Sequence, residues 1–201
     1  MKRQIVVIHG GRTFNTHKEY ISYLKNQDVT IESFKARKDW KGSLEETLGK
    51  DFEILAPQMP NKTNARYEEW KIWLERIVPF VNNDVVFVGH SLGGGFLAKY
   101  LSENLFSKKI KAVFLVAAPF DNENITEESV DDFALPPSLE KFAEQVGKIY
   151  LFHSKDDPVV PFAHVNKYKK TLPNSEMVIF ADRQHFNQES FPEIVALLKG
   201  I

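Results

Sequence analysis

The residues Val85-Val86-Phe87-Val88 make a short apolar run that ends directly in Gly89-His90-Ser91-Leu92-Gly93-Gly94, and an amphipathic helical pattern begins at once. A chain that passes from strand to helix this abruptly has few folds open to it. In a G-x-S-x-G turn of this kind the serine sits at the tip of the strand in a strained backbone conformation. Gly89 and Gly93 flank it without Cβ atoms, so the chain can bend sharply and expose the hydroxyl. Strain of this kind costs roughly 1–3 kcal/mol and tends to mark functional positions. Ser91 is therefore the first candidate residue, as a nucleophile.

The rest of the chain alternates in the same way. Apolar, strand-like runs fall at residues 5–8, 52–56, 85–88, 110–117, 149–152 and 177–180. Continuous runs bounded by polar residues, Gly or Pro suit strands buried on both faces of a parallel sheet. Helical patterns lie between them. Leu92, Phe96 and Tyr100, with Leu97, Leu101 and Leu105, form one apolar face over residues 92–106. Tyr67, Trp70, Trp73, Leu74 and Ile77 do the same over residues 64–79. Further helices are expected at 138–146, at 161–172 with Pro161 in the first turn, and at 191–199. The pattern predicts an α/β fold in one domain, residues 1–201, with a mostly parallel central sheet of about six strands and helices on both faces. Two stretches resist this scheme. Residues 29–50 read as a loop and then a short helix, for which Ser43-Leu44-Glu45-Glu46 offers a capping box. Residues 120–137, acidic and ending in Leu135-Pro136-Pro137, read equally as a short lid or a plain surface loop.

Composition narrows the class of function. The chain has 201 residues, 26 of them basic and 27 acidic, for a formal net charge of −1. That balance makes no electrostatic case for nucleic acid or an anionic membrane. The small basic cluster Lys35, Arg37, Lys38 and Lys41 reads as a solvated loop. The absence of cysteine excludes disulfides, thiolate metal sites and cysteine nucleophiles. Met1-Lys2-Arg3 looks faintly like the start of a signal peptide, but the apolar run behind it is shorter than such a segment requires. No stretch approaches the ~18 apolar residues of a membrane helix. The expectation is a cytoplasmic, soluble protein.

A serine needs an adjacent base, and the base an orienting group. Both are available downstream, each just past the end of a predicted strand, where open α/β sheets bind ligands. The run 149–152 leads into His153-Ser154-Lys155-Asp156-Asp157-Pro158, and the run 177–180 into Ala181-Asp182-Arg183-Gln184-His185. For the acid, Asp157 is favoured because the following Pro-Val-Val-Pro restrains its direction. Asp156 could instead cap local backbone N–H groups, and Asp182 is a weaker rival on the histidine's own loop. For the base, His185 alone lies downstream of the acid in a post-strand loop. His17 and His164 fall in helices as surface or satisfied polar residues, His153 reads as structural, and His90 as support for the pocket floor. The oxyanion of an acyl transfer needs N–H donors. Leu92, at the positive end of its helix, supplies one. The second should come from His9-Gly10-Gly11-Arg12 after the first strand, with Gly11 preferred and Arg12 as runner-up.

Taken together, these residues resemble the small α/β-hydrolases of the retinoblastoma-binding-protein type serine hydrolase family. The resemblance runs from Ile5 to the end of the chain and includes Met59-Pro60-Asn61, Ala65-Arg66-Tyr67 and Trp70. It implies an α/β-hydrolase fold with little or no cap and a triad of Ser91, Asp157 and His185. Gln184 departs from it, standing where the family often has Gly. Residues 29–50 look longer than usual, which bears on substrate access and dimer contacts. The expected function is a serine hydrolase, a carboxylesterase that cleaves small-molecule acyl esters without metal or organic cofactor. The alternatives are an amidase or peptidase using the same triad, and a hydrolase-like module that acts by binding protein. A homodimer is left open. Trp40, Trp70, Trp73, Phe120 and Phe133 are candidates to line an acyl pocket, Phe133 first among them and Trp70 and Trp73 more readily core.

Overall fold

The computed structural model describes residues 2–35, 38–123, 125 and 131–201. Six strands form one sheet: β1 (Arg3–Ile8), β2 (Phe52–Leu55), β3 (Val85–His90), β4 (Ile110–Val116), β5 (Val146–Ser154) and β6 (Glu176–Phe180). Their order is β2-β1-β3-β4-β5-β6, and every neighbouring pair is parallel. The helices are α1 (His17–Asn26), α2 (Leu44–Leu48), α3 (Tyr67–Glu75), α4 (Leu92–Glu103), α5 (Glu140–Gln145), α6 (Ala163–Thr171) and α7 (Pro192–Gly200).

Side chains alternate across a strand, so each central strand feeds two cores. Val6, Ile8, Val85, Phe87, Val113, Leu115 and Leu151 face the core shared with α3, α4, α5 and α6. Ile5, Val7, Val86, Val88, Phe114, Val116 and Phe152 face the one shared with α2 and α7. Burial on both sides explains why these strands read as unbroken apolar runs. The strand order reverses between β1 and β3, since the chain leaves β1 to place β2 on one side and β3 on the other. A crevice opens at such a switch point, beyond the carboxyl ends of the strands. Gly10 and Gly11 follow β1 there, and Ser91 follows β3.

One local expectation is corrected. Ser43 does not cap α2: its backbone is helical and its hydroxyl donates to the Trp40 carbonyl at 3.0 Å, completing a turn. The capping box lies instead at α1, where Thr16 Oγ1 accepts from the Glu19 N–H at 3.2 Å and Glu19 Oε2 accepts from the Thr16 N–H at 3.3 Å. In residues 120–137, a 3₁₀ turn spans Asp131–Phe133. Residues 124 and 126–130 lie outside those described, and the lid reading rests on them.

Candidate active site

The turn after β3 has the strain its sequence implies. Ser91 takes φ 54° and ψ −128°, a region that costs a side-chain-bearing residue roughly 1–3 kcal/mol. Neighbouring backbone holds it there. The Ser91 N–H donates to the Val116 carbonyl at 2.8 Å, and the Ser91 carbonyl accepts from the Gly94 N–H at 2.8 Å. The glycines are required by contact. A Cβ on Gly93 would lie 2.5 Å from the carbonyl oxygens of both Ile8 and His9, and one on Gly89 would lie 2.6 Å from the Gly93 carbonyl. Helix α4 can thus seat its first turn directly on the ends of β1 and β3.

Three loops bring the predicted side chains together. His185 Nε2 lies 2.9 Å from Ser91 Oγ, and His185 Nδ1 lies 2.9 Å from Asp157 Oδ2 and 3.1 Å from Oδ1. The Asp157 side chain is fully buried. Its Oδ1 also accepts the N–H groups of Val159 and Val160 at 2.8 and 3.0 Å, so its own turn orients it. Asp156 takes the other role foreseen for it. Its Oδ1 accepts from the Gln184 N–H at 2.9 Å and from Ser154 Oγ at 2.5 Å, tying the acid loop to the histidine loop. The Ser154 hydroxyl bond holds the Asp156 carboxyl below its ordinary pKa. Gln184, directly before the histidine, has φ 46°, a left-handed conformation that glycine adopts without strain.

The two expected N–H donors come from different turns, Leu92 from the start of α4 and Gly11 from the loop after β1. As the first residue of α4, Leu92 has an N–H with no partner inside the helix. Arg12, the runner-up for the second donor, has its N–H committed to the Lys62 carbonyl at 2.8 Å, which leaves Gly11. A Cβ on Gly11 would lie 2.7 Å from that same carbonyl, and one on Gly10 would lie 3.0 Å from Ser91 Cβ. This loop therefore passes against the serine as only glycine permits.

Three further histidines hold these loops. His90 Nε2 donates to the His185 carbonyl at 2.8 Å, fixing the backbone of the base. His153 Nε2 donates to the Val160 carbonyl at 2.8 Å, closing the acid turn. His9 accepts the Met59 N–H at Nε2, 2.9 Å away, and donates from Nδ1 to the Gly10 carbonyl at 2.7 Å. Burial depresses the pKa of all three, His90 most. His164 is likewise satisfied: Nδ1 accepts the Phe120 N–H at 3.0 Å and Nε2 donates to the Glu123 carbonyl at 2.9 Å.

Other expectations change. Lys41, grouped by sequence with solvated residues, turns inward. Its side chain is 13% exposed, with Nζ 2.6 Å from Asp39 Oδ2 and 3.4 Å from His90 Nδ1. Trp40, its neighbour in sequence, anchors in the core 1% exposed and draws this segment in. Arg37 of the same cluster lies outside the described residues. None of the five aromatic candidates lines the cavity at Ser91. Phe133 is buried against Tyr67, Trp70 and Phe96, Phe120 packs on Tyr168, and Trp73 is exposed on α3.

A parallel sheet in this order, with serine, acid and histidine following its strands in that sequence, defines an α/β-hydrolase. The chain belongs to the serine hydrolase family, whose model matches residues 31–199. It is 26% identical over 164 residues to YdeN of Bacillus subtilis (strain 168), which carries the name of a hydrolase, covering 81% of this chain and 75% of that one. The crystal structure of the B. subtilis ydeN gene product superposes with a TM-score of 0.77 at 20% identity, over 99% of this chain and 98% of the other. The meta-cleavage product hydrolase CumD of Pseudomonas fluorescens IP01 shares the fold at a TM-score of 0.66 and 13% identity, over 100% and 90% of the two chains. No helix among the described residues is long and apolar enough to cross a membrane.

Proposed function

We propose that the protein is a carboxylesterase that cleaves small acyl esters through an acyl-enzyme. The observation that carries this reading is the unbroken line from Asp157 through His185 to Ser91 Oγ, with 2.9 Å at each of its two steps. With Nδ1–H held by the carboxylate, His185 presents the Nε2 lone pair to the serine hydroxyl. Ser91 Oγ attacks the ester carbonyl as its proton passes to Nε2, and the N–H groups of Leu92 and Gly11 receive the oxyanion. The imidazolium returns the proton to the leaving alcohol as the C–O bond breaks. Water then repeats the sequence on the acyl-enzyme, releasing the acid and restoring Ser91. Removing an oxyanion donor from such a site costs ~3–4 kcal/mol of transition-state stabilisation.

The test is turnover of 4-nitrophenyl acetate, butyrate and octanoate by the wild type and Ser91→Ala, with fluorophosphonate labelling alongside. Activity and labelling that depend on Ser91 support the reading. A folded wild type that turns over no ester and takes no label at Ser91 overturns it in favour of a protein-binding role. Matched amide substrates separate an esterase from an amidase, which the same triad would also serve.

A further inference from the structure

The cavity at Ser91 holds about 400 Å³, and among the described residues Val159 gives it its one aliphatic side chain. Small-molecule pockets are ordinarily lined by apolar side chains with a few polar groups. A long hydrocarbon chain would find little here to draw it out of water. The charged groups are also uneven: Lys41 and Lys62 line the cavity with one acid, Asp39, beside Arg12, which has a partner of its own, in a chain whose formal net charge is −1. The excess of cations is thus a property of this site and not of the surface at large.

The three cations differ in setting. Arg12 is shared with an adjoining cavity, and its guanidinium lies 4.8 Å from the centre of the Tyr23 ring. Lys41 comes from the segment that precedes α2. It spends one donor on Asp39 at 2.6 Å and faces His90 Nδ1 at 3.4 Å, and an ammonium has three donors. Lys62 is exposed at the rim, and its carbonyl takes the Arg12 N–H. Its side chain therefore leaves the backbone beside Gly11, next to where the oxyanion would form. Charges so placed act on anything bound at the serine.

From these positions we infer that the preferred substrate is a short ester bearing a carboxylate, which Lys62 receives beside the Gly11 turn with Lys41 adding its charge. This rests on the ester-hydrolase reading above. The carboxylate can belong to either half of the ester. A half-ester of a dicarboxylic acid carries it on the acyl side, and an ester of a hydroxy acid carries it on the leaving group.

Two substrate pairs test the inference, each differing by one charge. The first is 4-nitrophenyl hydrogen adipate against its methyl ester. The second is the acetate of 4-hydroxy-3-nitrobenzoic acid against that of its methyl ester. The expected result is about a tenfold higher kcat/KM for the charged member of one pair at low ionic strength, equivalent to about 1.4 kcal/mol. Which pair responds assigns the side. The preference should shrink in strong salt, because screening shortens the reach of these charges. Lys62→Gln should remove most of it. Lys148→Gln, near the amino end of β5 and 61% exposed, should leave it intact. Turnover of both pairs with no charge preference, or with a preference for the neutral members, overturns the inference and leaves the esterase reading standing. Failure to turn over any of the four overturns both.

Discussion

Replacing Asp157 by Asn tests the proposed chemistry at its least accessible point, because shape is kept and only a proton is misplaced. Oδ1 of Asp157 accepts two backbone N–H groups, from Val159 and Val160, at 2.8 and 3.0 Å. An asparagine must keep its carbonyl oxygen there. Turning the amide over would forfeit both bonds, at about 1 kcal/mol each, and set N–H against N–H in a buried place. The carbonyl orientation is thus favoured by at least ~2–3 kcal/mol, or about 97% of molecules or more. The amide NH2 then occupies the place of Oδ2, 2.9 Å from His185 Nδ1. Oδ1, 3.1 Å from Nδ1, is already taken by the two N–H groups, so Nδ1 turns acceptor toward the nearer amide donor and the ring proton moves to Nε2. The nitrogen 2.9 Å from Ser91 Oγ then has no lone pair to offer. Such a tautomer reversal costs about 10,000-fold in kcat, or roughly 5.5 kcal/mol. The assay is steady-state hydrolysis of 4-nitrophenyl butyrate, with circular dichroism and thermal melting to establish that the variant is folded. Asp156→Asn serves as the internal comparison: it weakens a loop clamp without touching the tautomer and should lose no more than about tenfold. An Asp157→Asn enzyme within tenfold of wild type would refute the argument, and so would a larger loss at Asp156.

Gly93→Ala drives a Cβ to 2.5 Å from two backbone carbonyls. Because backbone cannot yield there, the variant should be destabilised by more than about 3 kcal/mol or fail to fold, as read by denaturant unfolding. Gln184→Gly removes a side chain from a φ of 46°. Relief of strain, less the added freedom of glycine in the unfolded chain, should raise the melting temperature by about 2–3 °C, and a fall would show that the glutamine side chain holds the loop. Burial lowers the pKa of His9, His90, His153 and His164. The unfolded chain takes up protons on these rings near pH ~6.5 while the folded chain does not. Stability is therefore full above that value and falls as pH drops below it, until each folded pKa is reached. The loss is at most about 1.4 kcal/mol per pH unit for each ring. Urea midpoints between about pH 7 and pH 5 would show it, and a flat profile would mean that the rings charge without unfolding.

The strands were legible because a sheet covered on both faces demands unbroken apolar runs, and the six runs in the sequence are the six strands of the sheet. Their ends were less so. β5 starts at Val146 and not three residues later, because α5 runs into it with no turn between, and Gly147 and Lys148 do not look like strand. Gly147 belongs there by contact, since a Cβ would lie 2.7 Å from the Lys111 carbonyl. The juxtaposition of Ser91, Asp157 and His185 was readable from position alone, each just past a strand end in a sheet whose strand ends converge on one crevice. The inward turn of Lys41 was not. It depends on Trp40 docking between α2 and α7, with its indole N–H donating to the Phe186 carbonyl at 2.8 Å across 146 residues of chain. Phe133 misled for a similar reason: a phenyl ring in an acidic, Pro-ended segment looks like a pocket contact until α3 and α4 are seen to enclose it.

Five of the six histidines are held by hydrogen bonds, and one of these five differs from the rest in its partners. A neutral imidazole has one donor and one acceptor. His9 and His164 spend both on backbone. His90 donates to the His185 carbonyl and turns its other nitrogen to Lys41, so a proton on it would sit beside an ammonium. His153 donates to the Val160 carbonyl of the acid turn and lies 3.9 Å from Asp157 Oδ2, too far for a hydrogen bond. Each is kept neutral by burial, and each secures one loop of the site. His185 differs because its bonds run to side chains that can exchange protons, a carboxylate at Nδ1 and a hydroxyl at Nε2. In the proposed mechanism the carboxylate accepts the Nδ1 proton in a hydrogen bond and leaves Nε2 facing the serine hydroxyl. Loops held by these buried rings keep His185 in line with the serine hydroxyl, the geometry that the proposed general-base step needs first.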